Sequence, residues 1–342
     1  MIARLAFAAC AAALLAFAST RDADAACAYP VGNALAFATD REPATDAQLF
    51  TGERGIGRRR RALVSYGFVR EPAERGTLVR CASSAAFAKA VGARFAARGP
   101  KRILVFIHGY YTPFKRAAAD ALALQRQLKF AGPVVLFAWP AKTTSLLAYL
   151  KDETSASWAM PHFRAILATL RKTYPTATFS FASHSLGSRF AANGIAVLRE
   201  SQCAQCLDRS VFFAPDIDST TLHEELSEAG TCSGRPPKKL TKAALVTLYV
   251  SNNDLALRQS QTVHGYQRAG QAGSELIVCA GVDTIDVSRY NSSDKAGHGY
   301  FVDARIVSDL RAAFAGTSPT APARKLKVVR RGNGGAYFEL HS

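Results

Sequence analysis

Ser185 stands in the pentapeptide Ser183-His184-Ser185-Leu186-Gly187, within the stretch TFSFASHSLGSRFAAN from Thr178 to Asn193. β-Branched, aromatic and small residues precede it, and small and amphipathic residues suited to a helix follow. A serine at such a strand-to-helix turn is held on a strained backbone with its hydroxyl facing a crevice, the nucleophile-elbow arrangement. Small residues are needed two positions before and after it, because strand and helix backbones approach closely there. Gly187 meets the second need, and Ser183 stands where glycine is commoner. A serine hydroxyl is a weak nucleophile until a histidine takes its proton and a carboxylate orients that histidine. The expected chain order on an α/β sheet is Ser, then Asp or Glu, then His. Asp254 in Ser251-Asn252-Asn253-Asp254 and His298 in Ala296-Gly297-His298-Gly299-Tyr300-Phe301 supply both in that order. The chemistry is covalent acyl transfer.

Other residues compete for these roles. Asp216 and Asp218 follow an earlier apolar run, and Asp216 behind Pro215 is an alternative acid. Asp283 and Asp286 read as turn and capping residues. His264 is expected in a loop after Asp254, and His162, His223 and His341 on helices or the tail. His184 is expected to point away from Ser185 and to pack. The oxyanion of the tetrahedral intermediate needs fixed donors, each worth roughly 3 kcal/mol. The backbone N–H of Leu186 is one candidate. The other is that of Tyr110, after the His108-Gly109 turn.

These residues need elements that bring them to one crevice. Ala34 to Thr39, Ala62 to Val69 and Leu78 to Cys81 read as strands, with a charged, glycine-rich connection carrying Arg58 to Arg61. Ala85 to Ala97 has helical spacing, and the unbroken apolar run RILVFI (Arg102 to Ile107) suits a strand buried on both faces. Beyond it the expectation alternates regularly: helix Ala117 to Phe130, strand Val134 to Ala138, helix Trp158 to Thr173 entered at Pro161, strand Thr178 to Ala182 and helix Phe190 to Glu200. Strands Val211 to Ala214 and Leu245 to Ser251 follow, then one from Leu276 through Ala280 to Val287 and a closing helix. This is an α/β fold with a mostly parallel central sheet, helices on both faces and antiparallel strands at the N-terminal edge. Ligand sites in such sheets lie at the carboxyl ends of the strands. The loop from Trp139 to Trp158 is expected to form much of the pocket, and Ala229 to Leu240 an insertion.

Residues 1–25 contain Arg4, an apolar run from Leu5 to Ala18 and Ala23-Asp24-Ala25, the pattern of a signal peptide cleaved after Ala25. The cysteine positions do not suit lipidation. Residues 26–315 are expected to form the main domain, and 316–342 a linker and a C-terminal β-hairpin. Removing the signal leaves Cys27, Cys81, Cys203, Cys206, Cys232 and Cys279, an even set in an exported chain. That favours disulfides, with fifteen possible pairings. Cys203-Ala-Gln-Cys206 lacks a second metal-binding pair and closes a helix rather than opening one, so it reads as structural. Hydrophobic residues make up 49% of the 342, enough for a large core and against global disorder. The net charge of +17 is arginine-rich without interleaved aromatics, which argues against nucleic acid and suits a solvated basic face or an anionic envelope surface.

Several stretches together resemble the α/β-hydrolase fold and, within it, the bacterial domain-of-unknown-function-900 family. They are AFATDR at Ala36 to Arg41, FIHGYYTPF at Phe106 to Phe114, FAWP at Phe137 to Pro140, the Tyr149 to Asp152 pair, SHSLG, FAPDID at Phe213 to Asp218, YVSNNDLALRQS at Tyr249 to Ser260, and GHGYF at Gly297 to Phe301. Tyr111 and Leu186 depart from that family's commoner asparagine and methionine. The resemblance implies a hydrolase without naming the bond. With the residues above, the expectation is an exported, cofactor-free and metal-free serine hydrolase of small-molecule or lipid esters, or of thioesters. A non-catalytic envelope binding or assembly protein on the same fold is the alternative. Substrate, acyl length and oligomeric state stay open.

Overall fold

The computed structural model describes residues 27–142, 146–201, 203–234, 244–290, 296–331 and 335–341. The expected signal peptide with its cleavage site after Ala25, and much of the expected insertion, lie outside the described residues. Among the described residues, thirteen strands and seven α-helices follow in chain order. They are β1 (Ala34–Thr39), β2 (Arg41–Pro43), β3 (Phe50–Arg54), β4 (Ser65–Arg70), β5 (Leu78–Cys81), α1 (Ser84–Val91), β6 (Arg102–Ile107), α2 (Phe114–Leu128), β7 (Val134–Ala138) and α3 (Leu146–Thr173). Then come β8 (Thr178–His184), α4 (Ser188–Glu200), β9 (Ser210–Phe213), α5 (Ser219–Glu228), β10 (Val246–Val250), α6 (Leu255–His264), β11 (Val282–Asp286), α7 (Ala304–Phe314), β12 (Leu326–Arg330) and β13 (Ala336–Leu340).

Eleven strands form one sheet in the order β12-β13-β11-β10-β9-β8-β6-β7-β1-β4-β5, and β2 pairs with β3 apart from it. Pairing is parallel from β1 through β13, and antiparallel at β1–β4–β5 and β12–β13. Strand alternation shows why RILVFI is apolar throughout. Ile103, Val105 and Ile107 enter the core beneath α1, α3, α4 and α5, whereas Leu104 and Phe106 enter the core beneath α2 and α7. Cys27 is bonded to Cys81, Cys203 to Cys206 and Cys232 to Cys279.

Several expected boundaries move. The strand drawn from Ala62 begins at Ser65, and the last parallel strand is confined to Val282–Asp286, because Cys279 is tied to Cys232 and Gly281 turns the chain at φ +94°. The segment expected as a loop up to Trp158 is largely helix: α3 starts at Leu146 and carries Pro161 inside it. The proline that suggested a helix start instead lies inside the helix, where it supplies no N–H to the ladder. His264 ends α6 rather than lying in a loop. The C-terminal hairpin extends the main sheet through β13 against β11, and Arg324 anchors the approach to it. Fully buried, Arg324 makes paired bonds to Asp309 at 2.8 and 2.9 Å.

Candidate active site

Ser185 follows directly on β8 and sits at φ +52°, the left-handed region that costs a side-chain-bearing residue energy. Its side chain is nearly buried and lines a cavity of about 360 Å³. The turn leaves no room beside it: a Cβ on Gly187 would lie 2.3 Å from the His108 carbonyl oxygen. Ser183 fits where glycine is commoner because its hydroxyl turns to that of Ser188, 3.1 Å away, at the start of α4.

Asp254 and His298 arrive from neighbouring strand ends. Asp254 caps α6, its Oδ1 accepting from the Leu257 N–H at 2.9 Å. Its other oxygen, Oδ2, lies 2.7 Å from His298 Nδ1. The carboxylate is fully buried, and the imidazole is 11% exposed and shares the cavity with Ser185. Gly297 permits this approach. At φ +65°, it would place a Cβ 2.6 Å from the Asn253 carbonyl oxygen.

Asp216 does something else. It lines the same cavity but accepts from Arg268 Nε at 2.7 Å, Ser260 Oγ at 2.6 Å and Tyr149 Oη at 2.7 Å. Burial pushes its pKa up, but the Arg268 charge and these hydrogen bonds outweigh burial and hold it below the usual carboxylate value. The residue considered as an alternative acid is therefore committed to an ion pair, and Asp254 is the carboxylate against His298. Asp218 caps α5, accepting from Thr221 N. Asp283 and Asp286 accept from Ala244 and Ser288 N–H groups. His264 bonds Glu153, His162 bonds Asp40, and His341 bonds Glu339. His223 lies on α5. His184 is more than a packing residue: its Nε2 donates to the His298 carbonyl at 2.9 Å, and its ring centroid lies 4.5 Å from that of His298.

Tyr110 and Leu186 follow the ends of the adjacent strands β6 and β8, where Ile107 is in register with Ser183. Beneath the Tyr110 turn is a buried polar assembly. Arg41, fully buried, donates to the Thr112 carbonyl at 2.6 Å and to His108 Nε2 at 3.1 Å. His108 Nδ1 donates to the Gly109 carbonyl at 2.7 Å, and Trp139 Nε1 to the His108 carbonyl at 2.9 Å. Asp152 accepts from the Lys142 N–H at 2.6 Å and the Tyr111 N–H at 3.4 Å. Burial lowers the Arg41 pKa to about 10 and raises that of Asp152 to about 6. Burial and then the Arg41 charge hold His108 neutral, well below its ordinary value. Of this assembly, only the turn carried an expected role; Arg41, Trp139 and Asp152 entered through stretches that resemble the family. The signal for the rest was an ionisable residue, Arg41, two positions past the buried strand β1 and at the start of β2.

A mostly parallel sheet with a strained serine at one strand end, and a buried Asp-His pair converging on it, defines the architecture of an α/β hydrolase. The chain belongs to the family described as alpha/beta hydrolase of unknown function (DUF900), whose model matches residues 83–313. Comparison with curated proteins finds no match. Among solved structures, it is similar to a putative cell surface hydrolase from Lactobacillus plantarum WCFS1, at 14% identity and a TM-score of 0.37, over 67% of this chain and 97% of that one. It is also similar to a hyperthermophilic esterase from the archaeon Pyrobaculum calidifontis, at 9% identity and a TM-score of 0.35, over 86% of this chain and 89% of that one. The family match assigns the class. Among the described residues, no helix is long and apolar enough to cross a membrane.

Proposed function

We propose that this α/β hydrolase is an exported serine hydrolase that cleaves carboxylic esters, or thioesters, of small molecules or lipids through an acyl-enzyme. The observation that carries the reading is the convergence of Ser185, strained at φ +52°, and the His298–Asp254 pair, 2.7 Å apart, on one cavity. His298 Nε2 takes the Ser185 proton as Oγ attacks the carbonyl carbon, and Asp254 holds the Nδ1–H tautomer and stabilises the imidazolium. The N–H groups of Leu186 and Tyr110 receive the oxyanion. Collapse expels the alcohol or thiol with the proton from His298, leaving an ester on Ser185. Water, deprotonated by His298, then releases the acid and restores the hydroxyl. Three disulfides suit an oxidising compartment and support export.

Labelling by a fluorophosphonate, paired with hydrolysis of short- and long-chain p-nitrophenyl esters, tests this. The purified protein is expected to label and Ser185→Ala to lose labelling, with esterase turnover falling by about 10⁵-fold or more. A folded protein that stays unlabelled overturns the reading in favour of a non-catalytic envelope protein.

A further inference from the structure

Large apolar side chains left in water gather at the mouth of the cavity. Tyr111 is 55% exposed on the turn after β6, Leu150 43% in α3, and Leu255 and Val263 46% and 38% in α6. Tyr111 and Val263 line the cavity itself, and Leu150 and Leu255 adjoin the lining residues Tyr149 and Ala256. Tyr149 joins the three segments: its hydroxyl lies 3.1 Å from Ser260 Oγ on α6, and its ring centroid lies 5.5 Å from that of Tyr110 on the turn after β6. Exposed apolar residues scattered singly need no explanation, but four on the segments that line one opening mark a surface meant to be covered.

Among the described residues of these segments, the exposed charges at the mouth have one sign. Lys151 follows Leu150, and Arg258 lies on α6 between Leu255 and Val263. Both are exposed, and neither makes an ion pair among the described residues. The carboxylates on the same segments are withdrawn. Asp152 and Asp254 are buried, and Glu153 is bound by Arg189 and His264. Beyond Tyr266, Asp218 and Glu225 line a separate cleft, so the basic, apolar zone ends there.

We propose that the cavity mouth docks on an anionic lipid surface, with Leu150, Leu255, Tyr111 and Val263 entering the interface and Lys151 and Arg258 meeting the headgroup charge. Apolar burial combined with attraction to anionic lipid is how a protein lies on a bilayer without spanning it. A second copy fits the face poorly, because an isologous contact would bring like cations together on chains of charge +17. That this opening admits substrate rests on the serine hydrolase reading. Docking itself can be measured without turnover.

Flotation of the Ser185→Ala protein with phosphatidylcholine vesicles, with and without phosphatidylglycerol, reads docking alone. Binding is expected only with phosphatidylglycerol, and it should weaken by about tenfold in Leu150→Ser/Leu255→Ser and in Lys151→Gln/Arg258→Gln. With Ser185 restored, both double variants should keep wild-type turnover of a water-soluble short ester, which shows that they fold. Three results overturn the proposal: no vesicle binding; binding that the mouth variants leave unchanged, as an N-terminal or other basic segment would give; and a concentration-dependent dimer dissolved by Leu150→Ser/Leu255→Ser. A catalytically inert protein that still binds vesicles through the mouth overturns only the hydrolase reading.

Discussion

The two sides of the cavity are built by different means. On one side, Asp254 and His298 come from loops at the ends of the neighbouring strands β10 and β11, and a single hydrogen bond of 2.7 Å couples them. On the other, the turn carrying Tyr110 rests on side chains gathered from across the sequence: Arg41 reaches His108 across 67 positions, and Asp152 reaches Tyr111 across 41. The first side concentrates its chemistry in a few atoms, a buried carboxylate and an imidazole that reaches the cavity. The second spreads a positioning task over a buried polar network, where every donor left without its acceptor carries a desolvation cost. Damage to the first should therefore appear in rate, and damage to the second in stability and rate together.

The sharpest way to break this contrast is at the carboxylates. On the proposed mechanism, Asp254→Asn keeps the shape and removes the charge that fixes the His298 tautomer, so turnover is expected to fall by about 10⁴-fold with the thermal midpoint nearly unchanged. Asp216→Asn should behave oppositely. It leaves Arg268 buried without its counter-charge, and the expected loss is about 3 kcal/mol of stability in urea unfolding, with residual turnover per folded molecule retained. Equal loss of turnover in the two variants would assign the acid to the wrong residue.

The parts of this molecule written locally were legible before the fold was known. Strands β6 and β7 are runs of apolar residues whose burial on both faces leaves little choice. Ser185 follows the buried strand β8 directly and Asp254 lies just past the buried β10, whereas His298 stands in the segment between β11 and α7 and was marked by its flanking glycines. The cavity wall was misplaced: of the stretch expected to form much of the pocket, only Tyr149 lines it among the described residues, whereas α6 supplies Ala256, Leu257, Gln259, Ser260 and Val263. Pro161 suggested the start of a helix that begins at Leu146. Local signals mark where a helix can start, whereas packing against α1 and α4 decides where it does. The support under Tyr110 escaped for a related reason. Nothing near Arg41 in sequence shows that a guanidinium at the start of β2 will meet His108 and Thr112. His184 packs as expected, against His298 and Phe301, but its hydrogen bond was not legible, because the partner, the His298 carbonyl, lies 114 residues away.

A middle-sized effect tests the network directly. Arg41→Met removes donors to the Thr112 carbonyl and His108 and leaves those groups buried. The expected cost is about 3 kcal/mol in denaturant unfolding. If the network positions the Tyr110 N–H, kcat should also fall by about tenfold to a hundredfold with KM little changed, within the range for a displaced oxyanion donor. Lost stability with an unaltered kcat would leave Arg41 a purely structural residue and remove the coupling between the two sides.

The smallest expected effect is a pH dependence, and its sign follows from His108. Its Nδ1 donates to Gly109 and its Nε2 accepts from Arg41, so the folded protein holds it as one neutral tautomer. Burial and the Arg41 charge, with a smaller contribution from His184, depress its pKa well below the ordinary 6.5. A histidine depressed in the folded state contributes stability that is present above the unfolded pKa, near 6.5, and is lost as pH falls toward the folded value, because only the unfolded chain takes up the proton. The slope is at most about 1.4 kcal/mol per pH unit. Asp152, raised by burial to about 6, works in the other direction: its contribution is present below its unfolded pKa and is lost as pH rises through 6. The two cancel in part in the intact protein, so the informative quantity is the stability difference between wild type and His108→Gln. That difference should shrink as pH is lowered from 7 to 5. A constant difference would mean that His108 takes a proton in the folded state, and that Arg41 does not keep the Tyr110 turn closed to it.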